Sequence, residues 1–335
     1  MSTVLESPKV YGQGDFRYHL VEDWAKLPEG WSIEVAGIAT DADDNVWTFQ
    51  RTEHPVVVFD RDGNVIKTWG GPDTFMREHE ILISPDGYVW LDDEAAHTVA
   101  KYDVDGNKIM QLGSGKPSDS GYNWYGEAKF FESLETIKRG ALPFNRPCGV
   151  SISRVNGDIY VADGYGNARV HRFDKDGKLL QSWGEPGRRE ATQFRTVHSV
   201  AVDDDRKRVI VCDRENSRLV FFTLDGEFLF DWTDVHRPTK AVLDKDGNIY
   251  VAELAWRPKK QELPGTLARV SIFSPEGELL ARWGSSQEEL HDLENSLFLA
   301  PHTIAIDSRG DIYVGEVRES KLRGTKVIRK FARIR

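Results

Sequence analysis

One unit of short strands recurs along the chain. Gly37 to Gly70 reads GIATDADDNVWTFQRTEHPVVVFDRDGNVIKTWG, and its skeleton returns from Val150 to Gly184. Each unit has four alternating or β-branched runs separated by Asp-Gly or Gly-Asn turns, which is typical of an antiparallel meander. Further units begin near Ile81, Val200, Ala241 and Ile304. A period of roughly 40 to 50 residues predicts an all-β fold, a six-bladed β-propeller with one four-stranded sheet per unit.

The sixth unit ends before its fourth strand. After the run Lys326 to Phe331 only four residues remain, whereas Tyr18 to Leu27 precedes the first unit and can supply the missing edge strand. Such a closure removes the exposed edges of an open ring. We therefore predict one propeller domain over residues 1–335. Its expected parts are an N-terminal extension (1–15) and the propeller (16–335), with insertions near 114–143 and 256–267.

Charge and cysteine content limit the classes of partner and compartment. The net charge is -10, from 44 basic and 54 acidic side chains, which argues against nucleic acid or an anionic membrane as a partner. Two cysteines are too few for a disulfide framework, and Met1 to Val10 lacks the features of a signal peptide. We expect a cytoplasmic monomer that acts on a small-molecule or peptide-derived substrate.

Three histidines share one position in alternate units. Two residues before the leading apolar residue of each first strand, the chain places Ala36, His79, Cys148, His198, Thr239 and His302. In a sixfold ring, histidines in the second, fourth and sixth blades point at one place on the axis, and three imidazoles with an open position suit a catalytic zinc ion. Iron or manganese also fits such a ligand set. Cys148 shares the register, so the sequence leaves open whether it is a fourth ligand or a small core residue.

A second ring of positions follows the second strand of each unit and returns to the same face. It holds Arg51, Glu94, Tyr165 after Gly164, Arg214, Leu254 and Val317. A guanidinium there can bind a carboxylate through two hydrogen bonds, and a phenol beside a metal and arginines can serve as a base. Asp163 and Asp213 belong to the blade pattern and are expected to fix turns. The other six histidines lack the register and are expected to be structural or superficial.

Several of these runs resemble peptidyl-α-hydroxyglycine α-amidating lyase, a six-bladed propeller of the NHL-repeat type. The resemblance extends from about Tyr18 to the C-terminus. It is carried by the ordered runs Phe144 to Pro147, Asp163 to Arg169, Val197 to Val200, Asp213 to Asn216 and Ala300 to His302. It implies zinc bound by His79, His198 and His302, catalysis by Arg51 and Tyr165 with Arg214 as a second arginine, and cleavage of a peptidyl-α-hydroxyglycine into an amide and glyoxylate.

The chain departs from the family at two positions. The family places an aspartate directly after its last zinc histidine, where it helps to bind a structural calcium together with carbonyls that correspond to Ile38 and Ile81. Thr303 stands there instead, so the resemblance implies zinc more strongly than calcium. Gly166 replaces a family cysteine that forms a disulfide, in keeping with a reducing compartment.

Two other functions remain open at this stage. The same metal site could hydrolyse a lactone, ester or amide, because a zinc ion can activate water equally well. A non-catalytic propeller that binds proteins would need no metal at all. The aromatic insertion between Ser114 and Pro143 either covers the pocket as a lid or is a packed loop.

Overall fold

The computed structural model describes residues 9–254, 267–286, 288–289, 292 and 295–335, without the side chains of residues 318–322. Its main strands form six antiparallel sheets, five of four strands and one of five. The innermost strand of each sheet contacts that of the next, and the innermost strand of the last sheet contacts that of the first. The sheets are therefore the blades of a closed ring, and the predicted six-bladed β-propeller is confirmed.

The strands have the following bounds in chain order. The N-terminal pair is Val10–Gln13 (β1) and Phe16–Val21 (β2). Blade 1 contains Val35–Thr40 (β3), Val46–Gln50 (β4), Val56–Phe59 (β5) and Val65–Trp69 (β6). Blade 2 contains Glu78–Ile83 (β7), Val89–Asp93 (β8), Thr98–Tyr102 (β9) and Lys108–Leu112 (β10). Blade 3 contains Pro147–Ile152 (β11), Ile159–Asp163 (β12), Arg169–Phe173 (β13) and Leu179–Trp183 (β14).

The second half of the ring follows a short parallel pair, Glu185–Pro186 (β15) and Gln193–Phe194 (β16). Blade 4 contains Val197–Asp203 (β17), Arg208–Asp213 (β18), Arg218–Thr223 (β19) and Phe228–Trp232 (β20). Blade 5 contains Pro238–Leu243 (β21), Ile249–Glu253 (β22), Arg269–Phe273 (β23) and Leu279–Gly284 (β24). Blade 6 contains Pro301–Ile306 (β25), Ile312–Glu316 (β26) and Ile328–Arg333 (β27). Short helices are Glu127–Lys129, Phe130–Leu134 (α1), Arg214–Asn216 and Arg318–Val327.

The N-terminal strands complete blade 6. β2 pairs with β27 in antiparallel register, from Tyr18 opposite Arg333 to Val21 opposite Lys330. The predicted closure is therefore present, although the strand begins and ends a few residues earlier than Tyr18 to Leu27. β1, which the sequence analysis assigns to an extension, adds a fifth strand by pairing with β2. The two ends of the described chain thus lie in one sheet, which leaves neither end of the ring as an open edge.

Tryptophans at the outer strand of a blade pack against the next blade. The Trp69 ring lies 5.5 Å from the Tyr102 ring, and the Trp183 ring lies 5.8 Å from that of Phe222. A Cβ added at the turn residue Gly106 would come within 2.7 Å of the Trp69 ring, and its φ of 87° also favours glycine. Trp183 is buried in the core and the partly buried Trp69 packs against the core, so both tryptophans pack between blades as the repeat pattern predicts.

Buried carboxylates at the ends of second strands hold the segments that enter several of the blades. Asp163 accepts the backbone N–H of Asn145 at 3.0 and 3.1 Å, and Asp213 accepts that of Arg195 at 2.8 Å. Glu316 accepts the N–H groups of Leu299 and Ala300 at 2.6 and 2.7 Å. These bonds confirm the expected role of Asp163 and Asp213. They also fix the start of each first strand, where the ring histidines stand.

The two insertions differ in what can be described. Residues 114–143 contain the short helices around α1 and lie above the axis on the side of blades 2 to 4. The insertion at 256–267 lies outside the described residues except for Leu267. Within the described part of the chain, no helix is both long enough and apolar enough to cross a membrane.

Candidate active site

The three ring histidines meet on the axis. His79, His198 and His302 come from β7, β17 and β25, the innermost strands of blades 2, 4 and 6. Their ring centroids form a near-equilateral triangle with sides of 4.7, 4.8 and 4.9 Å. Each offers one ligand nitrogen, and the three nitrogens lie within 4.8 Å of one another. All three side chains are buried. The arrangement can hold one metal ion.

Backbone carbonyls orient two of the rings. His198 Nδ1 lies 2.7 Å from the Thr239 carbonyl oxygen, and His302 Nδ1 lies 2.7 Å from that of Ala36. Because a carbonyl only accepts, Nδ1 carries the proton and Nε2 of the neutral ring keeps its lone pair. Thr239 and Ala36 occupy the same register in neighbouring blades. Such an outer partner is what metal-binding histidines usually have.

Burial keeps His79 and His198 neutral, as metal ligands must be. Burial first, and then the nearby His302 and Arg51, lower the pKa of His79 well below its usual value. Burial and the Arg214 guanidinium do the same to the pKa of His198. His79 Nδ1 has no hydrogen-bond partner among the described residues. The donor set therefore fits a borderline cation such as zinc.

Tyr165 lies between the histidines and Arg214. Its Oη is 3.0 Å from His198 Nε2 and 3.2 Å from His79 Nε2, and it accepts a hydrogen bond of 3.0 Å from Arg214 Nη1. Gly164, directly before it, would place a Cβ 2.2 Å from the Val197 carbonyl oxygen, so only glycine allows the chain to pass there. The phenol oxygen is thereby held beside both the candidate metal ligands and a cation.

Arg214 is itself fixed by a buried acid. Its Nε donates to Glu215 Oε1 at 2.7 Å, and Arg237 Nη2 donates to the same oxygen at 2.7 Å. Burial alone would raise the pKa of Glu215, but Arg237 and Arg214 lower it to about 2. Burial alone would likewise lower the pKa of Arg214, yet Tyr165 and Glu215 raise it. Arg214 thus stays charged beside the phenol.

Arg51 offers a cation to a ligand in the pocket. Its Nε donates to the Glu78 carbonyl at 3.0 Å, and its ion pair with Glu34 is long at 3.8 Å. Burial and the Arg77 guanidinium lower the pKa of Arg51, so binding of an anion there would stabilise its charged form. Arg51 is only partly exposed, with its side chain at 15%.

The second ring of positions lines one pocket above the histidines. Every member that the sequence analysis selected is present in its wall: Arg51, Glu94, Tyr165, Arg214, Leu254 and Val317. His302 forms part of the wall as well. The two sets of positions predicted from the repeats therefore surround one cavity. The histidines lie at its floor, and the second ring of positions forms its rim.

Cys148 is not part of the histidine group. Its Sγ donates to the Val197 carbonyl at 3.0 Å, and burial raises the pKa of the thiol well above its usual value. A thiol in this state is a poor metal ligand. Of the histidines outside the register, His97 and His236 accept backbone N–H groups, and His171 bonds to Asp163 and Ser182. His291 lies outside the described residues.

Five residues of the pocket wall lie outside the two predicted rings of positions: Arg77, Arg146, Trp124, Glu127 and Phe130. Trp124 and Phe130 belong to the aromatic insertion, for which a lid over the pocket was one of the two predictions. Arg77 and Arg146 stand two residues before His79 and Cys148, and Arg237 stands two residues before Thr239, so the repeat register contained a signal for the arginines. No such register exists in the insertion that supplies the other three.

A lysine occupies the channel beneath the histidines. Lys240 Nζ donates to the Ile38 carbonyl at 2.9 Å and to Glu80 Oε1 at 2.7 Å. Thr303, which replaces the aspartate expected for calcium, accepts the Ile38 N–H at 3.1 Å. A carbonyl expected to bind calcium therefore bonds to an ammonium group of the chain itself. Lys240 thus contributes a fixed positive charge and links blades 1, 2 and 5.

Replacing Lys240 with methionine is expected to destabilise the fold by about 3 to 5 kcal/mol, because it leaves the buried Glu80 without its cation. Adding EGTA should change the unfolding free energy of neither protein. Urea unfolding with and without EGTA measures both effects, and Lys245→Met, which removes an exposed pair with Asp246, is the matched control. Loss of stability in the natural protein upon EGTA treatment would show that calcium is required.

The fold and the site define a six-bladed β-propeller with three histidines clustered on its axis. Residues 144–173 match the family model described as NHL repeat. Over 94% of its length the chain is 26% identical to peptidyl-glycine alpha-amidating monooxygenase A of Xenopus laevis, of which it covers 34%. It is 37% identical to a probable peptidyl-alpha-hydroxyglycine alpha-amidating lyase of Caenorhabditis elegans over 24% of this chain and 23% of that protein.

The expected resemblance to the amidating lyases is thereby confirmed. The chain spans about a third or less of the length of the curated relatives it matches. Among solved structures, a gluconolactonase of Xanthomonas campestris has a similar fold, with a TM-score of 0.60 and 13% identity over 95% of this chain and 90% of that one. At that identity the likeness concerns the propeller alone.

Proposed function

We propose that the protein is a zinc-dependent carbon–nitrogen lyase that cleaves an N-acyl-α-hydroxyglycine into an amide and glyoxylate. One observation carries the proposal: the Tyr165 oxygen lies within 3.2 Å of two of three converging histidines and of Arg214. The similarity to amidating lyases and monooxygenases supports the same chemistry.

His79, His198 and His302 would hold the metal. Zinc bound there would act as a Lewis acid and make the hydroxyl group of the substrate more acidic. The neutral rings of His79 and His198 suit that ion, as do the carbonyl partners of His198 and His302, and the pocket lies next to them.

Arg51 would bind the carboxylate of the substrate. Its guanidinium lines the pocket and has a long ion pair with Glu34, so a carboxylate can form shorter charge-assisted hydrogen bonds with it. This contact would orient the α-carbon toward the histidines and Tyr165. Arg51 then remains in place to bind the carboxylate of glyoxylate.

Tyr165 would move the proton. As a phenolate stabilised by Arg214, its Oη accepts the proton of the substrate hydroxyl, and the electron pair of that O–H bond forms the new carbonyl. The C–N bond breaks, its electrons go to nitrogen, and the proton on Tyr165 returns to that nitrogen to give the amide. Atoms and charge balance without an oxidant or added water.

Metal analysis combined with a cleavage assay tests the proposal. The purified protein should contain about one zinc ion per chain and should release glyoxylate from N-benzoyl-α-hydroxyglycine. Hydrolysis of a lactone, ester or amide without release of glyoxylate would contradict the lyase and favour the hydrolase. Absence of both bound metal and turnover would favour a non-catalytic scaffold.

A further inference from the structure

The aromatic insertion at 114–143 is fixed across the mouth of the pocket. Glu127 pairs with Arg77 of the segment entering blade 2 at 2.9 Å. Ser120 Oγ donates to the Gly166 carbonyl beside blade 3 at 2.5 Å. Glu135 pairs with Arg195 of the segment entering blade 4 at 2.6 Å. Three separate anchors hold the insertion, so it is a positioned wall and not a detached loop.

Two aromatic rings of the insertion line the pocket, and one of them contacts Tyr165 and Arg214. Phe130 stands edge to face with Tyr165 at 5.9 Å, and the Arg214 guanidinium lies 5.4 Å from the centre of the same ring. Trp124 packs on Arg146 at 4.7 Å and keeps 44% of its surface exposed. Both rings line the pocket, as do the apolar side chains of Leu254 and Val317.

The charged groups at this rim already pair with one another. Arg146 bonds to Glu94 Oε1 at 2.5 Å, and Arg77 bonds to Glu94 Oε2 at 3.0 Å and to Glu127 at 2.9 Å. Binding a charged acyl group would require breaking these pairs. The wall formed by Trp124 and Phe130 therefore favours a neutral, apolar and flat group.

The insertion and the candidate catalytic residues line the same pocket, which is partly open to solvent. With the carboxylate on Arg51 and the hydroxyl near the histidines, the acyl group is the part left to contact the aromatic wall.

We propose that Trp124 and Phe130 determine specificity for a small N-aroyl-α-hydroxyglycine, whose aromatic acyl group packs against them. This inference rests on the proposed lyase function for the position of the carboxylate and the hydroxyl. An N-acetyl substrate is too small to reach both rings, and a long peptidyl chain must pass through the mouth that the insertion narrows.

Kinetics and binding of matched compounds test the proposal. The natural protein should have a kcat/KM at least about tenfold higher for N-benzoyl-α-hydroxyglycine than for N-acetyl-α-hydroxyglycine or a tetrapeptidyl-α-hydroxyglycine. Trp124→Ala and Phe130→Ala should each reduce the benzoyl to acetyl ratio at least about fivefold. Tyr125→Ala, at an exposed position of the same insertion outside the pocket wall, should preserve the ratio.

Calorimetric titration with N-benzoylglycine and N-acetylglycine, which lack the reacting hydroxyl, gives a readout independent of turnover. If the benzoyl compound binds more tightly than the acetyl compound and this difference is lost in Trp124→Ala, the aromatic subsite is supported. This holds even when no substrate yields glyoxylate, because the absence of glyoxylate overturns only the lyase. The specificity proposal is overturned if the two compounds bind equally, or if both variants keep the benzoyl to acetyl ratio of kcat/KM. In either case release of glyoxylate still supports the lyase.

Discussion

His198→Ala should lose zinc and reduce glyoxylate release by more than about 10³-fold, with the propeller still folded. Two histidines hold zinc much less firmly than three, and the Lewis acid supplies several kcal/mol of transition-state stabilisation, where each 1.36 kcal/mol is a factor of ten. Metal analysis after dialysis, the glyoxylate assay and circular dichroism measure the three parts of this result.

A histidine that does not share the strand position of the three ring histidines provides the control. His54 stacks on Trp31 at 3.6 Å between ring centroids and does not line the pocket, so His54→Ala should keep both metal and activity. Full activity in metal-free His198→Ala would contradict the metal site. If the variant lost activity because it no longer folded, its unfolding curve would show this.

Tyr165→Phe should retain zinc but lower kcat by roughly 10² to 10⁴-fold, the range for loss of a general acid or base. The substitution removes one oxygen and keeps the ring that packs on Phe130. It also removes the acceptor of Arg214 Nη1, which we expect to cost about 1 to 3 kcal/mol of stability because the guanidinium is buried. Single-turnover kinetics, metal analysis and urea unfolding test these effects together.

The matched control is Tyr160, a buried tyrosine in blade 3. It donates its hydroxyl to the Leu224 carbonyl and does not line the pocket, so Tyr160→Phe should cost some stability without lowering kcat. If Tyr165→Phe and Tyr160→Phe had the same kcat, the phenol would have no role in proton transfer.

The repeats were enough to predict the fold and both rings of the site because every blade uses one strand register. A residue such as His302 or Arg51 can be placed on the axis by counting from its strand. The bounds of the closing strands could not be counted in this way, since β2 pairs with β27, a strand over 300 positions away in the sequence. Only the folded ring reveals that pairing.

The remaining site residues cannot be placed by counting from the strands of the blades. Trp124 and Phe130 approach the axis because the insertion is anchored to blades 2, 3 and 4, and no local sequence pattern encodes those contacts. Lys240 shows a second difficulty: its partners Ile38 and Glu80 come from blades 1 and 2, whereas Lys240 itself belongs to blade 5. A long side chain that crosses the channel can be recognised only after the ring is closed.

His302 stands on β25, in the same sheet that β1 and β2 complete. Strands β26 and β27 separate β25 from the N-terminal pair, and in the proposed holoenzyme the metal would bind the ring in which all five strands are joined. Thermodynamic linkage then requires that metal occupancy favour this joined state, by about 4 kcal/mol at a free metal concentration a thousandfold above Kd. Amide hydrogens of β2 and β27 would accordingly exchange more slowly in the metal-bound protein than in the apoprotein.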